Sequence, residues 1–571
     1  MENPRIGIYV CWCGSNIAKM VDVEAVAEEI AKLPNVVISK NYKYMCSDPG
    51  QDLIIKDIKE HNLNRVVVAA CSPRIHEPTF RKALINAGLN PYMFEMANIR
   101  EHVSWVHTDR GEATIKARDL VAGALRRVAF HEELDKRRVD INPASLVVGG
   151  GVAGLSAAIE IADSGRDVHL VEREDHLGGM MAQLDTTYQS YESARELINE
   201  KIKRVLDHDH ITVYLGSEIQ EVFGYVGNFE AKITKAEKAV DIKFGNVIVA
   251  TGLKSFDPSV ITQYGYGTLP NVVTSVEFEQ MLKTGKLQTK DGKEPKNIAI
   301  IHCVGSRNED YNEYCSRNCC MTALKFSNQV RGALPASHVY QLYADMRAFG
   351  KCGEDLYRQA SENGVLFMMF DQKKGMPQVK AAGAEMLINI NDQLSGEELE
   401  VTADLVVLMI GVEAQPDAKI MSHFVGISMC GNAFFIEKHP KLDPVATTTD
   451  GVYIVGGCQG PKDIPEAISQ ARAAAARVLG TICQGQIEVE VTTACVNEDI
   501  CCGCQTCIQV CPYTAITFKE EEKVSYVNEV LCKGCGTCGA ACPSGAIRSR
   551  HFTDEQIINQ IEGIMEIGRS A

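Results

Sequence analysis

Two cysteine runs near the end of the chain have the spacing of iron–sulfur ligands. Each run follows the pattern C-x2-C-x2-C-x3-C-P. Such short spacing lets one loop wrap a cube of iron and sulfide with three thiolates, while the fourth cysteine crosses to the other cluster. The runs therefore predict two [4Fe–4S] clusters, the first on Cys501, Cys504, Cys507 and Cys542 and the second on Cys532, Cys535, Cys538 and Cys511.

A zinc ribbon is the competing interpretation of these two runs, because zinc sites also use pairs of cysteines two residues apart. Four cysteines in each run, with a proline directly after the last one, favour the iron–sulfur interpretation. Two adjacent copies of the same run leave little room for accident. Cys502 has no place in the pattern and is the spare thiol of the first run.

Four more cysteines occur at or near the ends of predicted strands in the first 140 residues. Cys11 and Cys13 follow the first strand, Cys71 follows a buried valine-rich strand, and Cys46 lies in a loop between them. The carboxyl ends of parallel strands share one edge of a sheet, where ligands usually bind. These cysteines therefore predict a third cluster, with buried structural cysteines as the alternative.

A fourth group of cysteines comprises Cys303, Cys315, Cys319 and Cys320. A pyridine-nucleotide disulfide reductase would place its second G-x-G-x-x-G after the strand that ends here, but this chain has Cys303 instead. Cys315 and Cys319 are four residues apart and would face the same way on a helix. The pattern predicts metal binding in place of nucleotide binding, and packing of the adjacent cysteine pair is the alternative.

A glycine-rich stretch after the strand Leu146–Val148 predicts a dinucleotide site. Gly149, Gly151 and Gly154 form G-x-G-x-x-G, and a helical pattern, a second strand and the acidic Glu172 follow. The glycines permit a tight turn, close approach to a pyrophosphate and close packing of helix and strand, while Glu172 can accept from a ribose hydroxyl. A glycine-rich turn without a ligand is the alternative.

Later motifs favour FAD over NAD, because an A-T-G after a buried strand and a closing G-G are typical of two-domain flavoproteins. Cys458 replaces the aspartate that usually follows that G-G. The predicted cofactor contacts are Gly149, Gly151, Val152, Ala153, Gly154, Glu172, Arg173, Gly178, Gly179, Met180, Ala250, Thr251, Gly252, Gly456, Gly457, Lys462, Asp463 and Ile464. Lys462 is the candidate catalytic residue, since a cation beside the flavin would stabilise its reduced form. A solvated loop lysine is the alternative.

Composition limits the classes of function. A chain of 571 residues is too long for one core, and its net charge of -16 argues against nucleic acid and against an acidic membrane surface. No apolar run has the length of a membrane span, and no secretion signal precedes the first strand. We therefore expect a cytoplasmic protein, whose 22 cysteines serve clusters or redox chemistry and do not form disulfides.

The order of motifs predicts a multidomain α/β protein with a thioredoxin-reductase-like flavoprotein core. The expected domains are an N-terminal α/β iron–sulfur domain (1–142), an FAD-binding domain in two parts (143–267 and 413–484), a second Rossmann-like domain with cysteines (268–412), a bacterial-type 2[4Fe–4S] ferredoxin domain (485–553) and a C-terminal helix (554–571). Apolar spacing predicts helices over 111–133, 188–205, 465–479 and 554–567.

This combination of motifs resembles the A subunits of heterodisulfide reductases. The resemblance rests on C-W-C-G at Cys11, C-S-P-R at Cys71, the flavin fingerprint, C-V-G-S-R at Cys303 with Y-C-S-R-N-C-C to Cys320, Q-G-P-K-D-I-P at Gln459 and the double cysteine run. It covers essentially the whole chain. Some family members carry an additional ferredoxin domain inside the flavin domain, but no cysteine run occurs between Glu172 and Ala250, so that insertion is absent here.

The resemblance implies one FAD that bifurcates electrons, and four [4Fe–4S] clusters. One electron would reduce ferredoxin, and the other would reach the CoM-S-S-CoB heterodisulfide through heterodisulfide reductase B and C subunits. A hydrogenase or formate dehydrogenase with a small iron–sulfur adaptor would donate electrons, and the assembly would be a homodimer of heterotrimers.

Two other functions remain open. The first is a non-bifurcating subunit that passes electrons singly between partners in a quinone-interacting or other sulfur-metabolism complex. The second is an NAD(P)H-dependent disulfide reductase, which is disfavoured because the second glycine fingerprint is missing. An active-site cysteine pair within the flavoprotein core is missing as well.

Overall fold

The computed structural model describes residues 3–135, 137–188, 190–235, 238–383, 385–489, 491–513 and 515–566. The chain forms two compact units, one of Met1–Arg138 with Glu488–Ala571 and the other of Val139–Ile487. The predicted N-terminal, ferredoxin and C-terminal helix segments thus belong to one unit. No helix among the described residues combines the length and apolar character that a bilayer span requires.

A four-stranded parallel sheet forms the N-terminal part of the first unit. Its strands lie in the order Val36–Tyr42, Ile6–Cys11, Arg65–Ala70 and Phe94–Asn98. Both central strands are buried throughout, because a hydrophobic core covers each face of the sheet. The helices of this part are Ser15–Ala18, Val23–Ile30, Asp48–His61, Pro73–Ala87, the π-helical turn Arg100–Ser104 and Arg110–Val128.

The C-terminal part of the same unit has two short antiparallel strand pairs and two one-turn helices. Strand Ala494–Val496 pairs with Ile547–Ser549, and Ile516–Lys519 pairs with Val524–Val527. The helices are the 3-10 turn Glu498–Ile500, Thr506–Val510 and Thr537–Ala541. Each one-turn helix lies inside one of the two cysteine runs, so both runs have the same local structure.

The terminal helix Asp554–Glu566 packs against Arg110–Val128, which links the two parts of the first unit. Their backbones approach closely at two glycines, since a methyl group on Gly563 would lie 2.7 Å from the carbonyl oxygen of Ala122. Arg127 Nη2 also donates to the carbonyl oxygen of His551 at 2.8 Å. The two parts therefore share a packed interface.

A five-stranded parallel sheet forms the flavin-domain core of the second unit. Its strands lie in the order Val452–Ile454, Asn246–Val249, Ser145–Val148, Val168–Val171 and Ile211–Tyr214. An antiparallel sheet of Ser217–Tyr225, Asn228–Lys235 and Lys238–Phe244 lies against one face. The helices are Val152–Ala162, Ala194–Leu206, Ala418–Val425 and Ile464–Gln484, with 3-10 turns Gly179–Gln183, Pro258–Val260, Thr262–Tyr264 and Gly456–Gln459.

The second domain of this unit repeats the same plan. Its parallel strands lie in the order Val272–Thr274, Leu405–Ile410, Asn297–Val304, His338–Tyr343 and Leu366–Met369. An antiparallel sheet of Gln378–Ala382, Glu385–Asp392 and Glu397–Ala403 accompanies it, with the helices Ser275–Lys283, Cys319–Ala333 and Gly353–Glu362.

Short strands mark the passages between these parts of the chain. Leu253–Ser255 pairs with Val412–Ala414, so the chain leaves the flavin domain and returns to it along one antiparallel pair. The strands Arg137–Asp140 and Gln486–Val489 lie where the chain passes between the two units.

Three sequence expectations need correction. The helix expected over 188–205 is Ala194–Leu206, because Ser193 caps it by accepting from the backbone N–H of Glu196 at 3.2 Å; residue 189 lies outside the described residues. The helix expected over 111–133 ends at Val128. Cys315 and Cys319 do not share a helix, because the helix begins at Cys319 and Cys315 lies in the preceding loop. Ile567, the expected end of the last helix, is outside the described residues.

Candidate cofactor sites

A cavity of about 950 Å³ lies at the carboxyl edge of the flavin-domain sheet. This is the edge where open α/β sheets bind ligands, and the volume suits a large ligand. The predicted cofactor contacts that line it are Gly149, Gly151, Val152, Ala153, Glu172, Arg173, Gly179, Met180, Ala250, Thr251, Gly252, Gly456, Gly457, Lys462, Asp463 and Ile464. The structure therefore brings together six separate stretches of sequence around one space.

The glycines of the fingerprint have distinct surroundings. A methyl group on Gly154 would lie 1.8 Å from the carbonyl oxygen of Gly149, so that position holds helix and turn together behind the cavity. Gly149 itself has a φ of 110° and lies against the carbonyl oxygen of Ala250. A methyl group on Gly151 would meet no protein atom within 4 Å, which leaves the helix N-terminus open for an anion. These features fit the pyrophosphate of FAD.

Glu172 and Gly178 support the turn around the same fingerprint. The carboxylate of Glu172 accepts from the backbone N–H of Gly150 at 2.6 Å and from that of Glu174 at 3.0 Å. Gly178 does not line the cavity, but its N–H donates to the carbonyl oxygen of Gly150 at 2.9 Å. Glu172 is thus fixed in place at the cavity wall, where a ribose would lie.

The guanidinium of Arg173 contacts a distant loop of the chain and does not support the fingerprint turn. Its guanidinium donates to Gln415 Oε1 at 2.9 Å and lies 3.5 Å from a carboxylate oxygen of Asp417. Arg173 therefore holds a neighbouring loop that also lines the cavity. The sequence pattern gives no hint of this contact, because the partners are more than 200 residues away.

Lys462 lines the cavity just before the helix Ile464–Gln484, as the sequence predicts. Burial lowers the pKa of Lys462, and the nearby Cys458 and Glu466 oppose this effect. Among the described residues, no carboxylate oxygen lies within 4.0 Å of its ammonium group. Asp463 caps the helix by accepting from the backbone N–H of Glu466 at 2.7 Å.

Cys458 is buried behind the cavity and does not replace the missing aspartate as a cofactor contact. Its thiol lies 3.1 Å from the carbonyl oxygen of Val455 and 3.3 Å from that of Val249. Burial raises the pKa of Cys458 to about 11, so the thiol stays neutral near pH 7. The ribityl chain of FAD must find other partners.

A buried ion pair that the sequence analysis did not predict also lines the cavity. Lys325 Nζ lies 2.7 Å from both carboxylate oxygens of Glu279, and each side chain is 2% exposed. Lys325 also donates to the carbonyl oxygen of Thr186 at 3.0 Å, and Glu279 accepts from the N–H of Asp185 at 2.9 Å. The sequence signal for this ion pair is a lysine that stands between the apolar residues Leu324 and Phe326 on a buried helix.

Cys303, Cys315, Cys319 and Cys320, here called the middle set, meet at the end of the strand Asn297–Val304. The charges of all four sulfurs influence one another, and burial raises the pKa of Cys303 to about 12 and that of Cys319 well above its usual value. Cys303 has a φ of 57°, which turns the strand end toward the helix of Cys319. Cys319 also lines the large cavity. This set and the predicted flavin site therefore share a wall.

Cys11, Cys13, Cys46 and Cys71, here called the N-terminal set, meet at the carboxyl edge of the N-terminal sheet. Cys11 Sγ accepts from the N–H groups of Cys13 at 3.3 Å and Met45 at 3.4 Å. Burial raises the pKa of Cys71 to about 12, and the charges of Cys13 and Cys11 add to that effect. Cys46 interacts with Cys13 in the same way. The sheet thus gathers thiols from three separate loops.

The eight cysteines of the two runs, here called the C-terminal set, are gathered by the short helices. Cys511 of the first run lines a small space together with Cys532, Cys535 and Cys538 of the second. The backbone N–H of Ala515 donates to Cys511 Sγ at 3.3 Å, and that of Gly534 donates to Cys532 Sγ at 3.4 Å. This is the crossed grouping that the double run predicts.

Among the described residues, no three cysteine sulfurs lie as close together as in a site for a single metal ion. A tetrahedral zinc site with bonds of about 2.3 Å would bring its sulfurs within roughly 4 Å of one another. Among the residues that the structure describes, the only three side chains whose ligand atoms lie mutually within 4.8 Å are Asp57, Glu60 and His61. An iron–sulfur cluster does not require such close thiols, because its sulfide core separates its cysteine ligands.

Comparisons with known proteins match this architecture. A family profile described as "Pyridine nucleotide-disulphide oxidoreductase" matches residues 144–309, and one described as "4Fe-4S dicluster domain" matches residues 487–551. Among solved structures, thioredoxin reductase of T. acidophilum covers 60% of this chain and 99% of its own length, with 17% identity and a TM-score of 0.41.

Two curated relatives align along almost their whole length. The A subunit of the "H(2):CoB-CoM heterodisulfide,ferredoxin reductase" of Methanothermobacter marburgensis is 41% identical, covering 99% of this chain and 98% of the relative. An iron–sulfur A subunit of the "CoB--CoM heterodisulfide reductase" of Methanopyrus kandleri is 42% identical, covering 98% and 99%. Both alignments extend over 652 positions, more than the 571 residues of the chain, so these relatives contain segments that it lacks.

Proposed function

Because the chain belongs to the family of heterodisulfide reductase A subunits, we propose that it is the FAD- and iron–sulfur-containing electron-transfer subunit of a heterodisulfide reductase-type complex. FAD takes up electrons in pairs and iron–sulfur clusters pass them singly, so the two together can divide a pair. The matched profiles support both kinds of carrier, since one describes a pyridine nucleotide-disulphide oxidoreductase and the other a 4Fe–4S dicluster domain.

The observation that supports this proposal best is the shared wall between the cavity and the middle set. Cys319 lines the cavity that also contains the dinucleotide fingerprint, and it begins the helix that carries Lys325 along the same wall. A cluster on the middle set would therefore lie directly beside the flavin. The chain at this position has C-V-G-S-R in place of a glycine fingerprint, so we propose that electrons arrive from protein partners and not from NAD(P)H.

The residues of the cavity have separable tasks. Gly149, Gly151 and Gly154 shape the turn and leave the helix N-terminus free for the pyrophosphate, while Glu172 would accept from the ribose. Lys462 brings a positive charge that forms no ion pair within 4.0 Å among the described residues, and this charge would stabilise negative charge on a reduced ligand. The pair of Lys325 and Glu279 lines the cavity with no net charge.

The finer function we propose is electron bifurcation, which couples ferredoxin reduction to reduction of the CoM-S-S-CoB heterodisulfide. Four [4Fe–4S] clusters on the N-terminal, middle and C-terminal sets would form the two routes. The B and C subunits would carry the disulfide site, and a hydrogenase or formate dehydrogenase would supply electrons. The names of the two relatives in methanogens contain the same heterodisulfide substrate, and one of them contains ferredoxin.

The decisive experiment measures ferredoxin reduction by the purified complex with and without a disulfide acceptor. Bifurcation requires that ferredoxin is reduced only while the disulfide is reduced as well. Cys319→Ser should retain FAD but lose the cluster beside it, and with it the coupling. Cys352→Ser, an exposed cysteine outside all three sets, is the matched control.

Ferredoxin reduction that proceeds equally well without the disulfide would overturn bifurcation. The chain would then be a subunit that passes electrons singly between partners. The segments that this chain lacks relative to its relatives support that second function. If those segments carry one ferredoxin route in the longer family members, that route would be missing here.

A further inference from the structure

Arg100 lies directly against the N-terminal set. It begins the π-helical turn Arg100–Ser104, which follows the strand Phe94–Asn98 at the carboxyl edge of the sheet. Its Nη1 donates to Cys13 Sγ at 3.5 Å. Burial raises the pKa of Cys71, and the positive charge of Arg100 acts in the opposite direction on Cys71 and Cys46. One guanidinium therefore acts on three of the four thiols.

The surrounding residues hold this guanidinium in one orientation. Its Nη2 and Nε donate to Glu101 Oε1 at 2.6 and 3.1 Å, and its Cζ lies over the ring of Trp105, 4.7 Å from the ring centroid. The backbone N–H groups of Arg100 and Glu101 both donate to Asn98 Oδ1, at 3.2 and 3.0 Å. The end of the guanidinium that is not paired with Glu101 thus faces the sulfurs.

The sulfurs of the C-terminal set have no hydrogen bond from a charged side chain among the described residues. Its sulfurs accept from backbone N–H groups, such as that of Ala494 on Cys532 at 3.4 Å and that of Ala515 on Cys511 at 3.3 Å. Amide dipoles carry no net charge, whereas Arg100 brings a full positive charge. Net charge and hydrogen bonds to sulfur are two of the quantities that set the potential of a cluster.

We propose that Arg100 raises the reduction potential of the cluster held by the N-terminal set and that Glu101 moderates this effect. The inference rests on the proposed function, because it requires a cluster on these four cysteines. One-electron reduction adds one negative charge to the cluster and changes no bond to the protein. A cation against Cys13 stabilises that added charge, and a carboxylate behind the cation weakens the stabilisation.

The test is a redox titration of the full chain, loaded with iron and sulfide under anaerobic conditions and followed by electron paramagnetic resonance. The signal that Cys71→Ser removes identifies the N-terminal cluster. Arg100→Gln should lower the equilibrium constant for its reduction about tenfold, a shift of about 59 mV for one electron. Glu101→Gln should raise the reduction potential of the cluster. Arg110→Gln, a control variant whose surface partner is Asp22, should leave the potential unchanged.

Each outcome decides one of the two claims. If Cys71→Ser removes no signal and no iron, the cluster assignment is wrong, and the role of Arg100 is wrong with it. If the signal is present but Arg100→Gln leaves its midpoint unchanged, only the role of Arg100 is overturned. Should Arg100→Gln lose the cluster, Glu101→Gln decides, because an upward shift supports the inference and an unchanged or lower midpoint contradicts it.

Discussion

The C-terminal and N-terminal cysteine sets belong to one unit, yet they depend on the surrounding protein in opposite ways. In the C-terminal part the hydrophobic core cluster is small, and two of its six buried members among the described residues are Cys507 and Cys538, which are predicted cluster ligands. In the N-terminal part the cysteines lie at the edge of a sheet with a complete core on each face. The difference leads us to expect that the C-terminal part needs bound metal to keep its fold, whereas the N-terminal sheet should fold with or without metal.

The largest expected effect of this difference follows from removal of iron. Chelation should unfold the C-terminal part, because small domains without a sufficient core depend on their metal. Strands Ile516–Lys519 and Val524–Val527 should lose protection from hydrogen exchange, while Ile6–Cys11 and Arg65–Ala70 keep theirs. Protection of the C-terminal strands in iron-free protein would show that their small core is sufficient alone.

The same difference explains what the sequence could predict. The spacing of the double cysteine run predicts a crossed grouping, and the structure places Cys511 beside cysteines of the second run. The ligand sets of the two clusters stay a prediction. The predicted α/β class and the family are confirmed. The residues of the dinucleotide fingerprint could be named because a strand, a turn and a helix follow one another directly.

Contacts between distant segments could not be predicted in this way. Arg100 lies against Cys13, and Lys325 lies against Glu279, because sheet edges and helix faces bring together residues far apart in the chain. Spacing also misled in one place, since Cys315 and Cys319 are four residues apart without sharing a helix. The turn at Arg317, with a φ of 61°, sets that loop, and no pattern of residue types predicts it.

The dinucleotide fingerprint shares one property with each cysteine set. Like the C-terminal set it is a local sequence motif, and like the N-terminal set it lies in a complete hydrophobic core. We expect Gly151→Ala to weaken FAD binding at least tenfold without lowering the melting temperature of the FAD-free protein. The added methyl meets no protein atom within 4 Å and would occupy the space for the pyrophosphate. Flavin absorbance after gel filtration measures the bound FAD.

Two further glycine variants complete that test. Gly154→Ala should lose both FAD and stability, since its methyl would collide with the carbonyl oxygen of Gly149. Gly480→Ala, on the helix Ile464–Gln484, also meets nothing within 4 Å and should retain FAD. Normal FAD content in Gly151→Ala would contradict the position of the pyrophosphate.

The middle set should resemble the N-terminal set, because its geometry depends on the hydrophobic core around it. Lys325→Met leaves the carboxylate of Glu279 buried without its partner, which costs about 3–5 kcal/mol in comparable sites. The second unit should unfold at lower temperature, measured by calorimetry, and the middle set should lose iron because Cys319 and Cys320 share the helix of Lys325. The C-terminal set should keep its iron.

Two variants sharpen this prediction. Replacing both partners, with Glu279→Met beside Lys325→Met, should restore most of the stability, because no charge is then left buried. Arg472→Met removes the exposed pair with Glu160 and should cost less than about 1 kcal/mol. A loss in Lys325→Met no larger than in Arg472→Met would show that the buried pair adds little.

The smallest effect concerns the reactivity of thiols in iron-free protein, and it depends on pH. Alkylation requires the thiolate. Burial raises the pKa of Cys71 and of Cys303 to about 12, so at pH 8 these thiols remain protonated while their sheets stay folded. Thiols released by unfolding of the C-terminal part should titrate near the ordinary value of about 8.5. Cys507 and Cys538 should therefore react at least tenfold faster at pH 8, measured by mass spectrometry of the labelled peptides.

The pH dependence of alkylation shows whether a thiol reacts slowly because burial keeps it protonated or only because the reagent has restricted access. As pH rises from 8 to 10, the thiolate fraction of an unfolded cysteine approaches its limit, whereas that of Cys71 and Cys303 still increases about tenfold per pH unit. The difference in alkylation rate between the unfolded cysteines and these two buried thiols should therefore become smaller. The exposed Cys352 is the reference thiol. Equal alkylation rates for Cys71 and Cys507 at pH 8 would mean that the carboxyl edge of the N-terminal sheet also opens without iron. The N-terminal and C-terminal sets would then depend on metal in the same way.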